Sequence, residues 1–534
     1  MIRSLLLFIF ILSAPGLAQT AEIKWWFDLN DAAYGSAALD DIDNDGKPEI
    51  VFSTYFNDGK VYALNAEDGS LLWEYVIGGC NDVAPLIHDV NGDGFKDVIL
   101  PSSCILKTFC FDGRNGSVLW STETAGSDSS PTIADIDQDG EMEILHGTFD
   151  GSVICLDAAT GDIEWDLIID PNGVVQSAPT VLDADMDGQL DFVVANWSFG
   201  NSNKYLCYRG VDQQLLWENS IPTENTYHGA SVADLDKDGT MELAFGCYDG
   251  SLYVLEAESG NLHWSYKLPN SVYIPGPTSI ADLDNDGEYE ITYMDFNNLA
   301  VVSHTGVLQW SYSLPEIGQS FRASAISDVN NDGTLDLVLG SDNGRLYAFN
   351  GSSATELWSV NLREHYGASN FMLDHGPVIA DFDGDDILDV FIAGGYGVTP
   401  PTTANYGRVY AISTGSIGGP EWPMFRKDKV RSGRVDIAPP TGLESRTTTA
   451  LAPQSIKSYP NPATSIITIA IKNQINENFS LTVYDILGRS VRSFSGSQFQ
   501  SVDITTDNLV RGVYFYKLIA GKNVEIAKGK FLLD

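Results

Sequence analysis

One acidic nine-residue pattern, Asp-x-Asp/Asn-x-Asp-Gly-x-x-Asp/Glu, recurs along the chain and constrains the fold more than any other feature. Its eight copies begin at Asp41, Asp89, Asp135, Asp183, Asp234, Asp282, Asp328 and Asp381, with the glycine replaced in the last copy. Successive copies start 46 to 53 residues apart. This period is typical of propeller blades, each a four-stranded sheet that cannot bury both of its faces alone. Solenoids are the competing class.

A tryptophan that ends an apolar segment is the second landmark of each unit. The set comprises Trp26 (or its neighbour Trp25), Trp73, Trp120, Trp165, Trp217, Trp264, Trp310 and Trp358. The surrounding apolar segments are short, are separated by Gly, Asn and Asp, and show no helical period. The sequence therefore predicts an all-β chain of strands joined by turns.

The order of the landmarks favours a closed ring. The chain enters through a tryptophan strand, residues 23–29, before any acidic loop, and the eighth unit stops after residues 409–412 without a tryptophan strand of its own. Closing the last blade with the first strand removes both free sheet edges. We predict an eight-bladed β-propeller over residues 19–434. Trp422 competes for the same position, but the following Pro423 disfavours a central strand, so we expect Trp422 in a cap or at an outer edge.

The acidic loops have the composition of calcium sites. Calcium takes six to eight oxygen ligands, which positions 1, 3, 5 and 9 supply with side chains and position 7 with a carbonyl. Without a cation, each loop holds like charges close together for no gain. We predict up to eight structural Ca²⁺ ions. The predicted ligands are Asp41, Asp43, Asp45, Glu49, Asp89, Asn91, Asp93, Asp97, Asp135, Asp137, Asp139, Glu143, Asp183, Asp185, Asp187, Asp191, Asp234, Asp236, Asp238, Glu242, Asp282, Asp284, Asp286, Glu290, Asp328, Asn330, Asp332, Asp336, Asp381, Asp383, Asp385 and Asp389.

Two departures from the acidic pattern predict unequal affinities. Asp386 stands at the glycine position of the eighth loop, where a sharp turn favours glycine. Asn91 and Asn330 replace a carboxylate in the second and seventh loops, so these two loops should bind calcium more weakly than the others.

The net charge and the N-terminal sequence limit the classes of partner and indicate the compartment. The formal net charge of −43 argues against nucleic acid and anionic membranes as partners. Arg3, the apolar residues 5–12 and the small-residue exit to Ala18 predict a signal peptide over residues 1–18. No later stretch is apolar for long enough to span a bilayer. Export permits disulfides, and Cys80 and Cys104 lie in neighbouring predicted loops where a bridge is possible.

The repeat resembles two known propeller families. The acidic loop and its following strand resemble the FG-GAP or VCBS repeat of integrin-type propellers. Segments such as residues 59–65 and 68–75 are similar to the quinoprotein-like (PQQ-like) repeat, and together the two resemblances cover roughly residues 23–434. They imply the fold rather than a function, because both families include adhesins, lectins, assembly factors and enzymes. The vicinal cysteine pair of quinoprotein dehydrogenases is missing.

The C-terminal region differs in composition from the repeats. A Pro-, Thr- and Ser-rich stretch predicts a linker over residues 435–452. The segments 459–464, 481–489 and 512–518 resemble, in order, the type A sorting domain of the type IX secretion system. This resemblance implies an Ig-like β-sandwich over residues 453–534 and a Bacteroidota-type outer envelope. It also implies recognition by the secretion machinery, delivery to the cell surface and removal of the domain on arrival.

The loops between each tryptophan strand and the next acidic loop are the candidate binding site. In a propeller these connections lead from the rim to the axis, and their contents vary: Tyr34, Asn81, Asp82, Gln176, Tyr227, His228, Tyr273, Phe321, Arg322, His365, Tyr366 and His375. Aromatic and polar groups together suit a sugar or peptide ligand. The predicted ligand-binding residues are Tyr227, His228, Tyr273, Arg322, His365 and Tyr366.

Two function classes remain open. No nucleophile, phosphate-loop or zinc motif occurs, which favours a non-catalytic, monomeric surface module that binds a glycan or protein. The alternative is a polysaccharide-active, lyase-like enzyme built on a calcium-bearing eight-bladed propeller, for which Arg322, His365 and Tyr366 together would supply a base and a positive charge. The eighth unit carries an insertion, residues 363–375, which either offers basic side chains to an acidic sugar or only accommodates the closure of the ring.

Overall fold

The computed structural model describes residues 21–199, 202–398, 404–428 and 431–435. It also describes residues 456–459, 466–475, 479–484, 490–497, 499–505, 509, 511–520 and 524–533. The predicted signal peptide and nearly all of the predicted linker lie outside these ranges. The chain divides into two compact units, residues 1–438 and 439–534. Among the described residues, no helix has the length and apolar content needed to cross a bilayer.

The first unit consists of four-stranded antiparallel meanders, numbered here as blades 1 to 8. The strands of each blade, from the first to the fourth, are as follows. Blade 1 has Ala38–Asp40, Glu49–Ser53, Lys60–Asn65 and Leu71–Val76; blade 2 has Leu86–His88, Asp97–Pro101, Lys107–Asp112 and Val118–Glu123; blade 3 has Thr132–Ala134, Glu143–Gly147, Ser152–Asp157 and Ile163–Ile168; blade 4 has Thr180–Leu182, Asp191–Ala195, Tyr205–Arg209 and Leu215–Asn219. Blade 5 has Ser231–Ala233, Glu242–Gly246, Ser251–Glu256 and Leu262–Lys267; blade 6 has Ser279–Ala281, Glu290–Asp295, Asn298–Ser303 and Leu308–Ser313; blade 7 has Ala325–Ser327, Asp336–Gly340, Arg345–Asn350 and Glu356–Asn361; blade 8 has Val378–Ala380, Asp389–Tyr396, Tyr406–Ser413 and Glu22–Leu29.

Position within a blade decides how a strand is buried. The first strand of blade 3 is buried throughout, whereas its fourth strand, Ile163–Ile168, alternates between exposed and half-buried residues. First strands of adjacent blades also contact one another, as those of blades 5, 6, 7 and 8 do in turn. The first strands therefore line the axis and the fourth strands form the rim. The β-propeller predicted from the repeat is confirmed.

The N-terminal strand completes the last blade. Glu22–Leu29 pairs antiparallel with Tyr406–Ser413, and Trp25 lies opposite Ala411 in this register. The predicted closure by the first strand is therefore confirmed. Joining the two ends of the ring in one sheet leaves neither end as a free edge.

The repeating tryptophan fastens each blade to the next. The Trp73 indole N–H donates to the Gly113 carbonyl at 2.6 Å, and a Cβ added to Gly116 would lie 2.6 Å from the same ring. Gly116 has a φ of +69°, so glycine is favoured there both by conformation and by the indole packed against it. Equivalent indole hydrogen bonds are made by Trp25, Trp120, Trp217, Trp264 and Trp310. In the first strand Trp25 has this role, while Trp26 is 50% exposed.

A segment that follows blade 8 occupies the axis of the ring, and we call its described residues, 420–428 and 431–435, the axial segment. Its strand Pro420–Trp422 pairs with the first strand of blade 7. The N–H of Ile379 in blade 8 donates to the Pro423 carbonyl at 2.9 Å. Trp422 is fully buried. The prediction of a cap or outer edge was wrong for Trp422, because the edge available for pairing is the inner one.

Two buried arginines of the axial segment bind the first strands from inside. Arg431 donates to the carbonyls of Ala37 at 2.9 Å and Pro85 at 2.8 Å, in blades 1 and 2. Arg426 donates to the Thr180 hydroxyl of blade 4 at 3.1 Å. Burial lowers the pKa of Arg426 to about 10 and that of Arg431 to about 9. Since guanidinium groups donate in several directions, Arg431 cross-links blades 1 and 2, and Arg426 joins the axial segment to blade 4.

Three smaller features complete the first unit. A short ladder joins Gly173–Val174 to Trp197–Ser198, a 3₁₀ turn covers Pro315–Ile317, and an α-helix covers Leu362–Tyr366. Cys80 and Cys104 are joined by a disulfide bond. Cys110, Cys155 and Cys207 are buried and free, as expected for small core residues.

The second unit contains two antiparallel sheets with a common core. One sheet holds Ile456–Tyr459, Ile466–Ile475 and Phe499–Thr505; the other holds Ser490–Gly496, Phe479–Tyr484, Gly512–Ala520 and Val524–Leu533. Ile467 and Ile504 of the first sheet belong to the same apolar cluster as Leu481 and Tyr516 of the second. This arrangement is a two-sheet sandwich.

Candidate calcium loops and channel mouth

Each acidic loop connects the first strand of a blade to the second, and backbone N–H groups hold one oxygen of its carboxylates. In the first loop, Asp41 accepts from the N–H of Gly46 at 3.0 Å, and Asp43 accepts from the N–H of Asp45 at 3.1 Å. Glu49, the first residue of the second strand, accepts from the N–H of the second loop residue at 2.9 Å. These bonds orient the carboxylates and leave their other oxygens free for a ligand.

The free oxygens recur at one position in successive loops. The Oδ1 atom of the first loop residue is buried and has no hydrogen-bond partner in Asp41, Asp135, Asp183, Asp234 and Asp282. In the same five loops, ligand atoms from three carboxylates lie within 4.8 Å of one another. Unpaired buried oxygens are costly, and several converging oxygens match the ligand preference of Ca²⁺. The residues present therefore fit the predicted ion.

The carboxyl group at the ninth loop position has a raised pKa because it is buried and because other carboxylates lie close to it. Burial, followed by the negative charges of the neighbouring loop carboxylates, raises the pKa of Glu49 to about 8, that of Glu290 to about 7 and that of Asp336 to about 8. A bound dication would favour the ionised carboxylates and oppose this shift.

The eighth loop already contains a cation from the protein. The Nζ atom of Lys24, on the first strand, lies 2.7 Å from Asp383 Oδ2 and 2.9 Å from Asp389 Oδ2. These carboxylates stand at positions 3 and 9, both predicted calcium ligands. Asp386, which replaces the glycine, has a φ of +66°, so the loop turns at this position without glycine. The lysine was not evident from the loop sequence because it is far away along the chain.

The channel mouth lies at the opposite end of the strands, where the loops enter the first strands. Arg322 of blade 7 is 5% exposed and its guanidinium reaches across the axis. It donates to Asp82 Oδ1 of blade 2 at 2.6 Å and to the Tyr34 carbonyl of blade 1 at 3.1 Å. The Tyr227 hydroxyl of blade 5 also donates to Asp82, at 3.4 Å. Groups from four blades, three of them side chains and one a backbone carbonyl, therefore meet at the Arg322 guanidinium.

His228 is neutral where it meets Arg322. Burial, reinforced by the positive charge of Arg322, lowers the pKa of His228 well below its usual value. The Arg322 Nη1 atom lies 3.1 Å from His228 Nε2, which accepts the hydrogen bond in this state. The Arg322 guanidinium is also 5.7 Å from the Phe425 ring of the axial segment. Arg322 and Phe425 thus form the floor of the mouth.

Half-buried aromatic rings surround this floor. Tyr273 donates to Gln319 at 2.6 Å, and its ring centroid lies 5.3 Å from that of Tyr248 and 6.5 Å from that of Phe321. Trp197 contacts Tyr248 at 5.3 Å. On the side of blade 1, the ring of Tyr34 meets that of Tyr55. We call Tyr34, Tyr55, Trp197, Tyr227, Tyr248, Tyr273 and Phe321 the aromatic belt.

His365 and Tyr366 lie elsewhere, so the expectation that they join Arg322 was wrong. They end a helix that follows the fourth strand of blade 7, whereas Arg322 precedes the first strand of the same blade. Three inter-strand spacings, roughly 14 Å, separate the two edges of such a sheet. His365 packs on Trp26 with ring centroids 5.2 Å apart, and Tyr366 stacks on Tyr406 at 5.1 Å. The three groups proposed for a lyase site are not assembled.

The sequence reasoning missed several residues of the mouth. Asp128 and Asp374 occupy the same register as Asp82, seven residues before the first aspartate of their acidic loops. The full set at this offset is Tyr34, Asp82, Asp128, Gln176, Tyr227, Pro275, Phe321 and Asp374. This fixed offset is a signal that identifies the ring of residues. Tyr55, Trp197 and Tyr248 come from the loops between second and third strands, where each stands 14 residues after the first aspartate of its acidic loop, an offset that also identifies them.

The fold and its repeated four-stranded sheets define a β-propeller protein. The family model described as outer membrane protein assembly factor BamB matches residues 17–190 and 209–424, and the chain belongs to this family. A second model, the secretion system C-terminal sorting domain, matches residues 457–531. The sorting domain directs the protein through type IX secretion to the cell surface or the extracellular space. The FG-GAP or VCBS resemblance stays a prediction.

Solved structures with the same fold are distant in sequence. The biofilm matrix protein Bap1 of V. cholerae is 14% identical over 74% of this chain and 91% of its own, with a TM-score of 0.54. A europium-containing methanol dehydrogenase is 13% identical over 74% and 93% of the two chains, with a TM-score of 0.53. At such identities the likeness shows the fold alone. No protein of curated function matches the sequence.

Proposed function

We propose that this protein is a calcium-stabilised, non-catalytic module that binds a glycan or protein ligand at the channel mouth, outside the cell. The convergence of Tyr34, Asp82, Tyr227 and His228 on the Arg322 guanidinium supports this proposal more than any other observation. Sites that combine a few fixed polar groups with aromatic walls are typical of ligand binding.

The arrangement of loops separates the two roles in space. The acidic loops connect first to second strands, while the mouth loops connect fourth to first strands. In an antiparallel meander these connections lie at opposite ends of the strands. Calcium at one face stabilises the blades and leaves the aromatic belt at the other face accessible to a ligand.

We propose calcium at seven loops and the Lys24 ammonium in place of calcium at the eighth. The first seven loops have glycine at position 6, and five of them present the same unpaired Oδ1 atom. In the eighth loop, Asp383 and Asp389 are both within hydrogen-bond distance of Lys24. A dication at this position would compete with an ammonium that is covalently part of the chain.

A binding role agrees better with the mouth chemistry than catalysis does. Arg322 is held by Asp82, and His228 accepts a hydrogen bond from Arg322, so neither group is free to act on a substrate. A lyase needs a base and a charge-neutralising group next to the same sugar. The residues expected to supply them are divided between the mouth and the rim.

The test is a combined glycan and protein array probed with the purified mature protein in calcium. Trp197→Ala and Tyr273→Ala should each abolish the binding of any ligand found, because they remove walls of the aromatic belt. Trp26→Ala is the matched control, since Trp26 is an exposed rim aromatic. If the belt variants bind normally and Trp26→Ala does not, the site lies at the rim and the proposal is wrong. Unsaturated sugar products after incubation with a bound glycan would instead establish a lyase.

A further inference from the structure

Beyond the paired Arg322, the channel mouth is acidic. Asp128, Asp342 and Asp374 surround it in addition to Asp82, and among the described residues no lysine or arginine forms an ion pair with any of these three. Of the carboxylates in the described part of the chain, Asp82 is the one that forms an ion pair with Arg322, at 2.6 Å. The positive charge expected to attract an acidic sugar is therefore already matched within the protein.

Two of these carboxylates have an oxygen that accepts no hydrogen bond from the described residues. Asp128 Oδ1 and Asp374 Oδ1 are shielded from solvent and have no hydrogen-bond partner. The other oxygen of Asp128 accepts from Gln176 at 3.2 Å. Nearby, Asn81 is fully buried beside Asp82, and neither the oxygen nor the nitrogen of its amide is paired. Unpaired buried polar atoms in a native fold call for a partner outside the chain, such as a water molecule or a ligand.

The charges near these oxygens favour a cationic partner. Burial, followed by the negative charge of Asp82, raises the pKa of Asp128 to about 6. Burial, followed by the negative charge of Asp342, raises the pKa of Asp374 to about 7. Carboxylates only accept hydrogen bonds when ionised, so a ligand that donates and is positively charged satisfies both their bonding and their charge.

The aromatic belt favours the same kind of ligand. Burial, followed by the negative charges of Asp82 and Asp128, raises the pKa of Tyr227 and Tyr55. Burial, followed by the negative charges of Asp342 and Asp374, likewise raises the pKa of Tyr273. These three rings therefore lie close to the carboxylates of the mouth. Aromatic faces attract ammonium groups, and carboxylates among aromatic rings strengthen this attraction. An acidic ligand would instead meet three unpaired carboxylates in a partly desolvated site.

We propose that the channel mouth binds a ligand through a primary ammonium group, held between Asp128 or Asp374 and the aromatic belt. This inference rests on the proposed binding function and specifies its ligand chemistry. Two sources carry such a group: an amino sugar without its acetyl group, and the lysine side chain of a protein. The carboxylates would contact only the ammonium group, so the same contacts serve an amino sugar and a lysine side chain.

The experiment compares probes that differ in that group. Binding of the full mature protein, in calcium, is measured by calorimetry with a glucosamine oligosaccharide, with its N-acetylated counterpart, and with a lysine-containing and an N-acetyl-lysine-containing peptide. We expect binding of one amine-bearing probe at least ten-fold tighter than that of its acetylated partner. The preferred amine probe identifies the source of the ammonium.

Charge-removing variants of the same shape locate the site. Asp128→Asn and Asp374→Asn should each weaken binding of the amine probe about ten-fold or more. Glu258→Gln is the matched control because Glu258 is an exposed carboxylate in the turn after the third strand of blade 5, on the face of the acidic loops. It removes the same charge from the whole molecule and should leave binding unchanged.

Three outcomes overturn the inference. Equal binding of amine and acetylated probes would show that the protein does not recognise the ammonium group. If Trp197→Ala weakened this binding, a ligand site at the mouth would still be supported. Amine binding that Glu258→Gln weakens as much as Asp128→Asn would be a general charge effect. No binding of either amine probe, with capture of an acidic or neutral glycan at the mouth, would retain the proposed function and exclude this ligand class.

Discussion

The Nζ atom of Lys24 lies 2.9 Å from the fully buried carboxylate of Asp389, so the first strand carries a cation into the loop of the last blade. The same ammonium contacts Asp383 at 2.7 Å. Glu22–Leu29 is joined to blade 8 by backbone pairing as well as by this ion pair. Strand pairing and an ion pair within the protein therefore both contribute to the closure of the ring.

We expect Lys24→Met to weaken the closure and to create a calcium site. Removing one partner of a buried ion pair typically costs about 3–5 kcal/mol, because the other charge is left unpaired. In chelator the variant should melt well below the wild type, and excess calcium should restore part of the difference. Lys204→Met, which breaks a surface pair with Glu218, is the control and should cost about 1 kcal/mol or less. Equal effects of the two variants would contradict the role of Lys24.

Removal of calcium should destabilise the propeller strongly. An ion held only by the folded state contributes about 2.7 kcal/mol at a hundred-fold excess over its Kd, and the effect accumulates over independent sites. Thermal unfolding followed by calorimetry should show a marked fall in melting temperature with EGTA, reversed by added calcium. Metal analysis of the dialysed protein should find up to seven Ca²⁺ per chain. Unchanged melting after exhaustive chelation would exclude calcium as a structural ion.

Arg431 of the axial segment should be essential for stability. Arg431→Leu leaves the carbonyls of Ala37 and Pro85 without a buried donor, and each such group costs about 1–3 kcal/mol. We expect a loss of roughly 3 kcal/mol or more in the free energy of unfolding by urea. Arg209→Leu, a substitution at a partly exposed arginine, should change it by less than about 1 kcal/mol. Comparable values for the two would mean that the axial segment does not fasten the ring.

The sorting domain should be separable from the propeller. Deletion from Leu451 onward removes the segment that matches the sorting family and leaves the first compact unit complete. The truncated protein should melt with the same calcium dependence as the full chain but accumulate in the periplasm. Cell fractionation and surface labelling measure this. Normal surface display of the truncated protein would contradict the prediction.

Acid should destabilise the propeller through buried His146. Its Nδ1–H donates to the Gly147 carbonyl at 2.9 Å, and its Nε2 accepts from Thr108 at 2.9 Å. Burial lowers the pKa of His146 to about 4, below its unfolded value of about 6.5. Its contribution, up to about 3 kcal/mol, is present above pH 6.5 and is lost as the pH falls through 4. Urea unfolding of wild type and His146→Gln at pH 7 and pH 4.5 should therefore differ in pH dependence, and the same pH dependence in both proteins would contradict the role of His146.

The sequence by itself determined the propeller and the acidic loops. Each loop draws its carboxylates from nine consecutive residues, so local backbone geometry is enough to bring Asp135 and Glu143 together. The tryptophan landmarks and the early strand likewise predicted the closure of the last blade, because strand order follows directly from the order of repeats.

Only the tertiary structure decided the contents of the mouth and the axis. Asp82, Tyr227 and Arg322 come from different blades and meet only once the ring is closed. Lys24 and Asp389 are 365 residues apart, and nothing local to either residue predicts their contact. His365 was expected at the mouth because its loop leads toward the axis, but the helix after the outer strand keeps it at the rim. A repeat specifies contacts within a blade and with its neighbour, whereas contacts across the axis depend on the closure of all the blades.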